Sequence, residues 1–141
     1  MSLPGLTLKE CEIDGESPNV SVLIVDDQAP FRSAARTVVT VAPGFDVTGE
    51  AESGEEAVEI ASTLLPDLVL MDINLPGING VEATRQILAD RPGTVVILLS
   101  TYTADDLPSD ARTCGAASYV HKEDFSPGVV RGVWDEHRPG A

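Results

Sequence analysis

The chain has 141 residues, 43% of them hydrophobic, and a formal net charge of −14. That length and apolar content predict one globular domain around a single core and exclude a disordered chain. The charge argues against direct nucleic-acid binding and against an anionic membrane surface, since nothing here neutralises phosphates, whereas clustered carboxylates invite a cation.

Residues 1–20 carry Pro4, Gly5, Gly15 and Pro18 and read as a mobile N-terminal extension. They have neither the basic start nor the apolar core of a signal peptide. No run reaches the roughly 18 apolar residues that a membrane span needs, so no membrane partner is expected. Cys11 and Cys114 form no CxxC pair and lie far apart, and both read as plain thiols of a reducing cytoplasm.

From Ser21 the pattern alternates between strand runs and helical periodicity. Ser21-Val22-Leu23-Ile24-Val25 is the first strand, closed by Asp26 and Asp27. Phe31, Ala34, Ala35, Val38, Val39 and Ala42 follow at the spacing of an amphipathic helix, which Pro43-Gly44 ends. Phe45–Ala51 reads as a short strand near a sheet edge. Ser53 and Glu56 make a capping-box pattern ahead of Ala57, Ile60, Ala61, Leu64 and Leu65, and Pro66 stops that helix. Leu68-Val69-Leu70-Met71 is continuously apolar, as a strand covered on both faces should be, and closes on Asp72. Val81, Thr84, Ile87 and Leu88 mark a third helix ended by Pro92-Gly93. Val95–Ser100 is the fourth strand. A fourth helical segment over Ala104–Cys114 is poorly apolar and carries Pro108, with Gly115 as its stop. Ala117–His121 is the fifth strand and closes on Lys122. Ser126-Pro127 opens a last helix with Val130, Val133 and Trp134 inward.

A β-α unit repeated five times predicts a parallel sheet with right-handed crossovers and helices on both faces, a (βα)5 doubly wound α/β fold. In such sheets ligands sit beyond the carboxyl ends of the strands. Asp26, Asp27, Asp72, Ser100 and Lys122 all fall there. Magnesium favours oxygen ligands and commonly takes one or two carboxylates with a phosphate oxygen, so Asp26, Asp27 and Asp72 suit Mg2+. A carboxylate is also a competent nucleophile for phosphoryl transfer, which rests mostly on positioning and charge neutralisation. A hydroxyl and a cation for the phosphoryl oxygens are then available in Ser100 and Lys122; Lys122 is one of two lysines, the other being Lys9. Asn74 lies two residues past Asp72 and can offer its carbonyl or side chain. Each residue also has an ordinary reading. Asp27 can cap the helix near Pro30, Asp72 can be a solvated loop residue, Ser100 a hydroxyl satisfied by backbone, and Lys122 an exposed charge. Their coincidence at matching strand ends favours the functional set. Pro76, Gly77 and Gly80 shape a tight loop after Asp72. Tyr102 and Tyr119 are core or surface rings, or rings whose burial follows phosphorylation. His121 should face away from Lys122 and reads as structural.

With these residues in place, the chain resembles the receiver domain of two-component response regulators. The matching motifs are Val25-Asp26-Asp27, Leu70-Met71-Asp72-Ile73-Asn74-Leu75-Pro76-Gly77, Gly80, Ser100, and Gly115-Ala116 through Tyr119 to Lys122. The resemblance covers about Ser21 to Trp134, and Leu75–Ile87 with Lys122-Glu123-Asp124 looks most like the NarL/LuxR-type subgroup with helix-turn-helix outputs. It implies a flavodoxin-like, CheY-like strand order 2-1-3-4-5, with the receiver over 21–137 and a tail or linker over 138–141. It implies Asp72 as phosphoacceptor, Asp27 as a direct Mg2+ ligand, Asp26 acting through water, and a metal contact from the Asn74 backbone carbonyl. Ser100 and Tyr119 would be the switch residues, with Lys122 beside Ser100 sensing the phosphoryl group. The implied donor is a cytoplasmic sensor histidine kinase, and the implied role is a switch rather than a turnover enzyme. The face of the fourth helix, fifth strand and fifth helix is where such domains form homodimer or output contacts.

Three departures stand out. Glu123 replaces the proline common after the switch lysine, so a cis peptide is not expected there. Pro108 and Arg112 occupy positions that are usually apolar, which weakens the fourth helix and the dimer face. Gly132 lies inside the last helix, where glycine costs about 1 kcal/mol relative to alanine. Other readings are a haloacid-dehalogenase-type phosphatase, which would need an acid where Asn74 stands, and a flavodoxin-like module, whose phosphate loop Asp26-Asp27-Gln28 would repel. A third is a phosphorylation-independent receiver-like interaction module. Only Asp135 to Ala141 follow Trp134, so the expectation is either a single-domain regulator or a chain that stops where a DNA-binding domain begins.

Overall fold

The structure is a computed structural model and describes residues 19–101, 111 and 113–138. The five apolar runs become β1 (Val20–Val25), β2 (Phe45–Ala51), β3 (Leu68–Asp72), β4 (Val95–Ser100) and β5 (Ser118–His121). All pair in parallel in the order β2-β1-β3-β4-β5, as expected. The helices are α1 (Ala29–Val41), α2 (Gly54–Leu64), α3 (Gly80–Asp90) and α4 (Pro127–His137). The segment expected to be helical over Ala104–Cys114 lies outside the described residues apart from 111, 113 and 114, as does Tyr102; α4 is therefore the helix opened by Ser126-Pro127.

Because side chains alternate across a strand, each apolar run feeds two cores. Leu23, Val25, Val69, Met71, Val96 and Leu98 pack with Ala57 and Ala61 of α2 and Val81, Ala83 and Ile87 of α3. Val22, Ile24, Leu68, Leu70, Val95, Ile97 and Leu99 pack with Ala35 and Val39 of α1 and Val130 of α4. The central strands β3 and β4 are buried along their whole length, whereas β5 is half-buried and runs along one edge. A strand apolar at every position must have both faces covered, and these are.

Local chemistry starts the helices where the sequence suggested. Ser53 Oγ accepts from the Glu56 N–H at 3.1 Å, and Glu56 reaches back to the Glu52 N–H at 2.7 Å, one residue earlier than an ideal capping box. Asn79 and Ser126 cap α3 and α4 in the same way. Helix α1 is the exception: its N-cap is Gln28, with no side-chain hydrogen bond, and Asp27 does not cap it. The ordinary role available to Asp27 is therefore not the one it has.

Candidate functional site at the carboxyl edge of the sheet

Three strand ends and one turn converge here. β1 delivers Asp26 and Asp27, β3 ends on Asp72, β4 ends on Ser100, and Lys122 opens a short 3-10 turn (Lys122–Asp124) directly after β5. The register pairs Asp72 with Leu99, and Ser100 with His121, so Ser100 stands one residue beyond Asp72 on the neighbouring strand.

The carboxylates of Asp26, Asp27 and Asp72 each place an oxygen within 4.8 Å of the others. Asp26 is completely buried and Asp72 nearly so, while Asp27 is exposed. The Lys122 ammonium donates to Asp26 Oδ2 at 2.6 Å and lies 3.6 Å from Asp72 Oδ2. Asp26 Oδ1 accepts from the Gln28 N–H at 2.8 Å, and Asp72 Oδ1 accepts from the Asn74 N–H at 3.2 Å. Three carboxylates and one ammonium leave a local excess of negative charge. Burial pushes the Asp72 carboxyl up to about 6, the Asp26 charge adds to this, and Lys122 and the Asn74 N–H oppose it. An anionic, oxygen-only donor set of this kind fits a hard divalent cation.

The loop after β3 is built by close approach. The Gly80 N–H donates to the Ile73 carbonyl at 2.9 Å, and a Cβ on Gly80 would collide with the Asp72 carbonyl oxygen, so only glycine lets α3 begin beside the end of β3. Gly77 takes a positive φ of 73°, and the next N–H, on Ile78, donates to the Glu55 carboxylate at 3.1 Å. The turn residues singled out from sequence thus pin the loop to α2.

Of the remaining expected residues, Ser100 is buried at the end of β4, and Asn74 is exposed. Tyr119 is half-buried on β5 and packs against the core shared with α2 and α3. His121 meets backbone on both ring nitrogens: its Nδ1 accepts from the Glu123 N–H at 3.1 Å and its Nε2 meets the Thr101 carbonyl at 3.1 Å. Two neighbours escaped the sequence reading. Arg32 donates to the Asp26 carbonyl at 2.6 Å while pairing with Glu50, which braces the β1–α1 loop from outside. Phe31, read only as a core position of α1, lies with its ring centroid 4.4 Å from Lys122 Nζ. No spacing rule links residues 91 positions apart; the signal was only that Phe31 is the first large apolar residue after the acidic pair.

The family model for the response regulator receiver domain matches residues 22–129. Over 114 residues the chain is 40% identical to the response regulator UvrY of Escherichia coli K12, covering 81% of this chain and 52% of that one. The chain spans about half the length of the curated relatives it matches. Among solved structures, the signal receiver domain of the NarL response regulator from Mycobacterium tuberculosis aligns with a TM-score of 0.76 at 28% identity, covering 84% of this chain and 96% of that one. The CheX–CheY–beryllofluoride–magnesium complex from Borrelia burgdorferi aligns at 0.70 and 27% identity, covering 83% and 87%.

Proposed function

The chain belongs to the response regulator receiver domain family, and we propose that it works as a phosphoacceptor switch whose acceptor is Asp72. The observation that carries this reading is the gathering of three carboxylates within 4.8 Å around a nearly buried Asp72, with one ammonium 3.6 Å away.

The proposed step is an in-line displacement. An Asp72 carboxylate oxygen attacks the phosphorus of a phosphohistidine on a cytoplasmic sensor kinase, the P–N bond breaks with its electron pair returning to the imidazole, and an acyl phosphate remains on Asp72. Asp26, Asp27 and Asp72, with the Asn74 backbone carbonyl, would hold Mg2+, which when bound supplies positive charge to the phosphoryl oxygens. Lys122 moves its ammonium from Asp26 toward the new phosphoryl oxygens. Ser100 turns its hydroxyl to them, and Tyr119 follows, which rebalances the surface around β5. The chain is then a switch that assists its own phosphorylation and dephosphorylation, not a turnover enzyme. A homodimer through the surface that includes β5 and α4 is the proposed readout, and control of transcription is the proposed output of the whole protein.

Intact-mass spectrometry after incubation with acetyl phosphate tests the reading. One phosphoryl group should appear on the wild type with magnesium, and none without magnesium or on Asp72→Asn. A wild type that stays unmodified, and that also fails to bind beryllofluoride with magnesium, would leave the phosphorylation-independent interaction module as the better reading.

A further inference from the structure

The Lys122 side chain is largely enclosed, with 14% of its surface exposed, and its conventional partners are two carboxylates on one side. On another side lies the face of Phe31, and an ammonium over an aromatic face is held by the ring quadrupole, the more so when water is excluded. The ring is itself anchored. Phe31 sits in the first turn of α1 and meets Phe125 at a centroid distance of 6.3 Å, tilted by 46°. The Phe125 N–H donates to the Lys122 carbonyl at 3.4 Å, so the turn that carries the lysine also carries the second ring. Lysine backbone, Phe125 ring, Phe31 ring and lysine ammonium form a closed circuit between α1 and the loop after β5.

We propose that Phe31 is a positioning residue for Lys122: its ring holds the ammonium over the site without offering it a directional acceptor. The consequence lies in what the ring cannot do. A carboxylate or carbonyl in its place would fix the ammonium and compete with the phosphoryl group. An aliphatic side chain would fill the space but give the charge nothing, and water would then hydrate it. The ring face keeps the ammonium between Asp26 at 2.6 Å and Asp72 at 3.6 Å without adding a further acceptor to compete with the phosphoryl group. The inference deepens the phosphoacceptor reading and rests on it for its kinetic part.

Two readouts test the proposal. The first needs no phosphorylation. Only Lys9 and Lys122 are lysines, so lysine-selective isotope labelling of the full chain yields two side-chain signals in NMR spectra. The Lys122 ε-methylene should be displaced upfield by the ring current in the wild type, remain so in Phe31→Trp, and return to the ordinary position in Phe31→Leu. The second is the rate of Asp72 phosphorylation by acetyl phosphate and magnesium. Phe31→Leu should slow it by about fivefold, the scale of a partly desolvated cation–π contact. Phe31→Trp should restore it, and in a Lys122→Met background Phe31→Leu should have little further effect.

An undisplaced Lys122 signal in the wild type overturns the proposal. So does an equal slowing by Phe31→Leu with and without Lys122, which would make the ring ordinary packing. A melting temperature of Phe31→Leu within a few degrees of wild type separates slowing from unfolding; if that variant does not fold, Phe31→Met replaces it under the same criteria. A wild type that takes no phosphoryl group overturns the functional reading, and the ring contact is then decided by the lysine signal alone.

Discussion

Both ends of the sheet hold a half-enclosed or buried aspartate, and they use it in opposite ways. At the amino ends, Asp67 Oδ2 accepts from the Ser21 N–H and from Ser21 Oγ at 3.1 Å each. The Asp67 N–H in turn donates to Ser21 Oγ at 3.0 Å. Neutral donors meet that charge, and it staples β1 to the start of β3. At the carboxyl ends, Asp72 has one N–H, a lysine shared with Asp26, and two other carboxylates within reach. One end uses its aspartate to close the structure; the other keeps charge in excess of what its neighbours neutralise. The same residue type on the same sheet becomes a fastening or a centre of unbalanced charge according to how many donors face it.

Lys122→Ala should have the largest effect on the difference. It removes the ammonium 3.6 Å from Asp72, and if Asp72 is the phosphoacceptor proposed above, acetyl phosphate kinetics should show a loss of roughly 10²-fold, the range for deleting one preorganised charge-stabilising group. It also leaves Asp26 fully buried beside two carboxylates, which should destabilise the magnesium-free protein by about 3 kcal/mol in urea unfolding, with added magnesium recovering part of it. A variant with unchanged stability would mean that the two ends are not different in kind.

Next come substitutions of opposite sign. Asp67→Ala breaks hydrogen bonds to a charged acceptor and should lose about 2 kcal/mol. Asp72→Asn should instead stabilise the magnesium-free protein at pH 7, by about 1–3 kcal/mol. The sign follows from the carboxyl held up at about 6 against an ordinary 3.8. Between those values the folded state binds more protons than the unfolded chain, so the contribution of Asp72 to stability falls as pH rises from about 4 to about 6 and stays low above that. Unfolding measured across this range should show wild type losing stability relative to Asp72→Asn, and magnesium should narrow the gap. The same ionisation predicts that phosphorylation in limiting magnesium slows as pH drops below about 6. Smallest is Gly132→Ala, on α4 and away from both ends: nothing lies within 4 Å of a Cβ there, and the helix should gain up to about 1 kcal/mol without a change in phosphorylation.

Much of this was legible in the chain. Runs such as Leu68–Met71 and Val95–Leu99 allow few readings other than strands covered on both faces, and the β-α rhythm leaves the strand ends at one edge. Asp26, Asp27, Asp72, Ser100 and Lys122 are therefore visible as a set in the sequence alone. What was not legible depends on distances through space. The Asp67–Ser21 staple joins residues that look like ordinary strand-flanking polar side chains. Phe31 follows the helical period so well that its second role over Lys122 has no separate signature. Asp27, read alone, fits a helix cap, and only the backbone shows the cap falling one residue later, on Gln28. Periodicity reports which face a residue occupies, but not which atom it meets there.

The most direct test is to identify the modified aspartate chemically. After phosphorylation with acetyl phosphate and magnesium, borohydride reduces an acyl phosphate to the alcohol with release of phosphate, so the modified aspartate becomes homoserine and can be located by peptide mass. The account predicts homoserine at position 72 and at neither 26 nor 27. Homoserine at position 26 or 27, or none in a protein shown to fold, would contradict it.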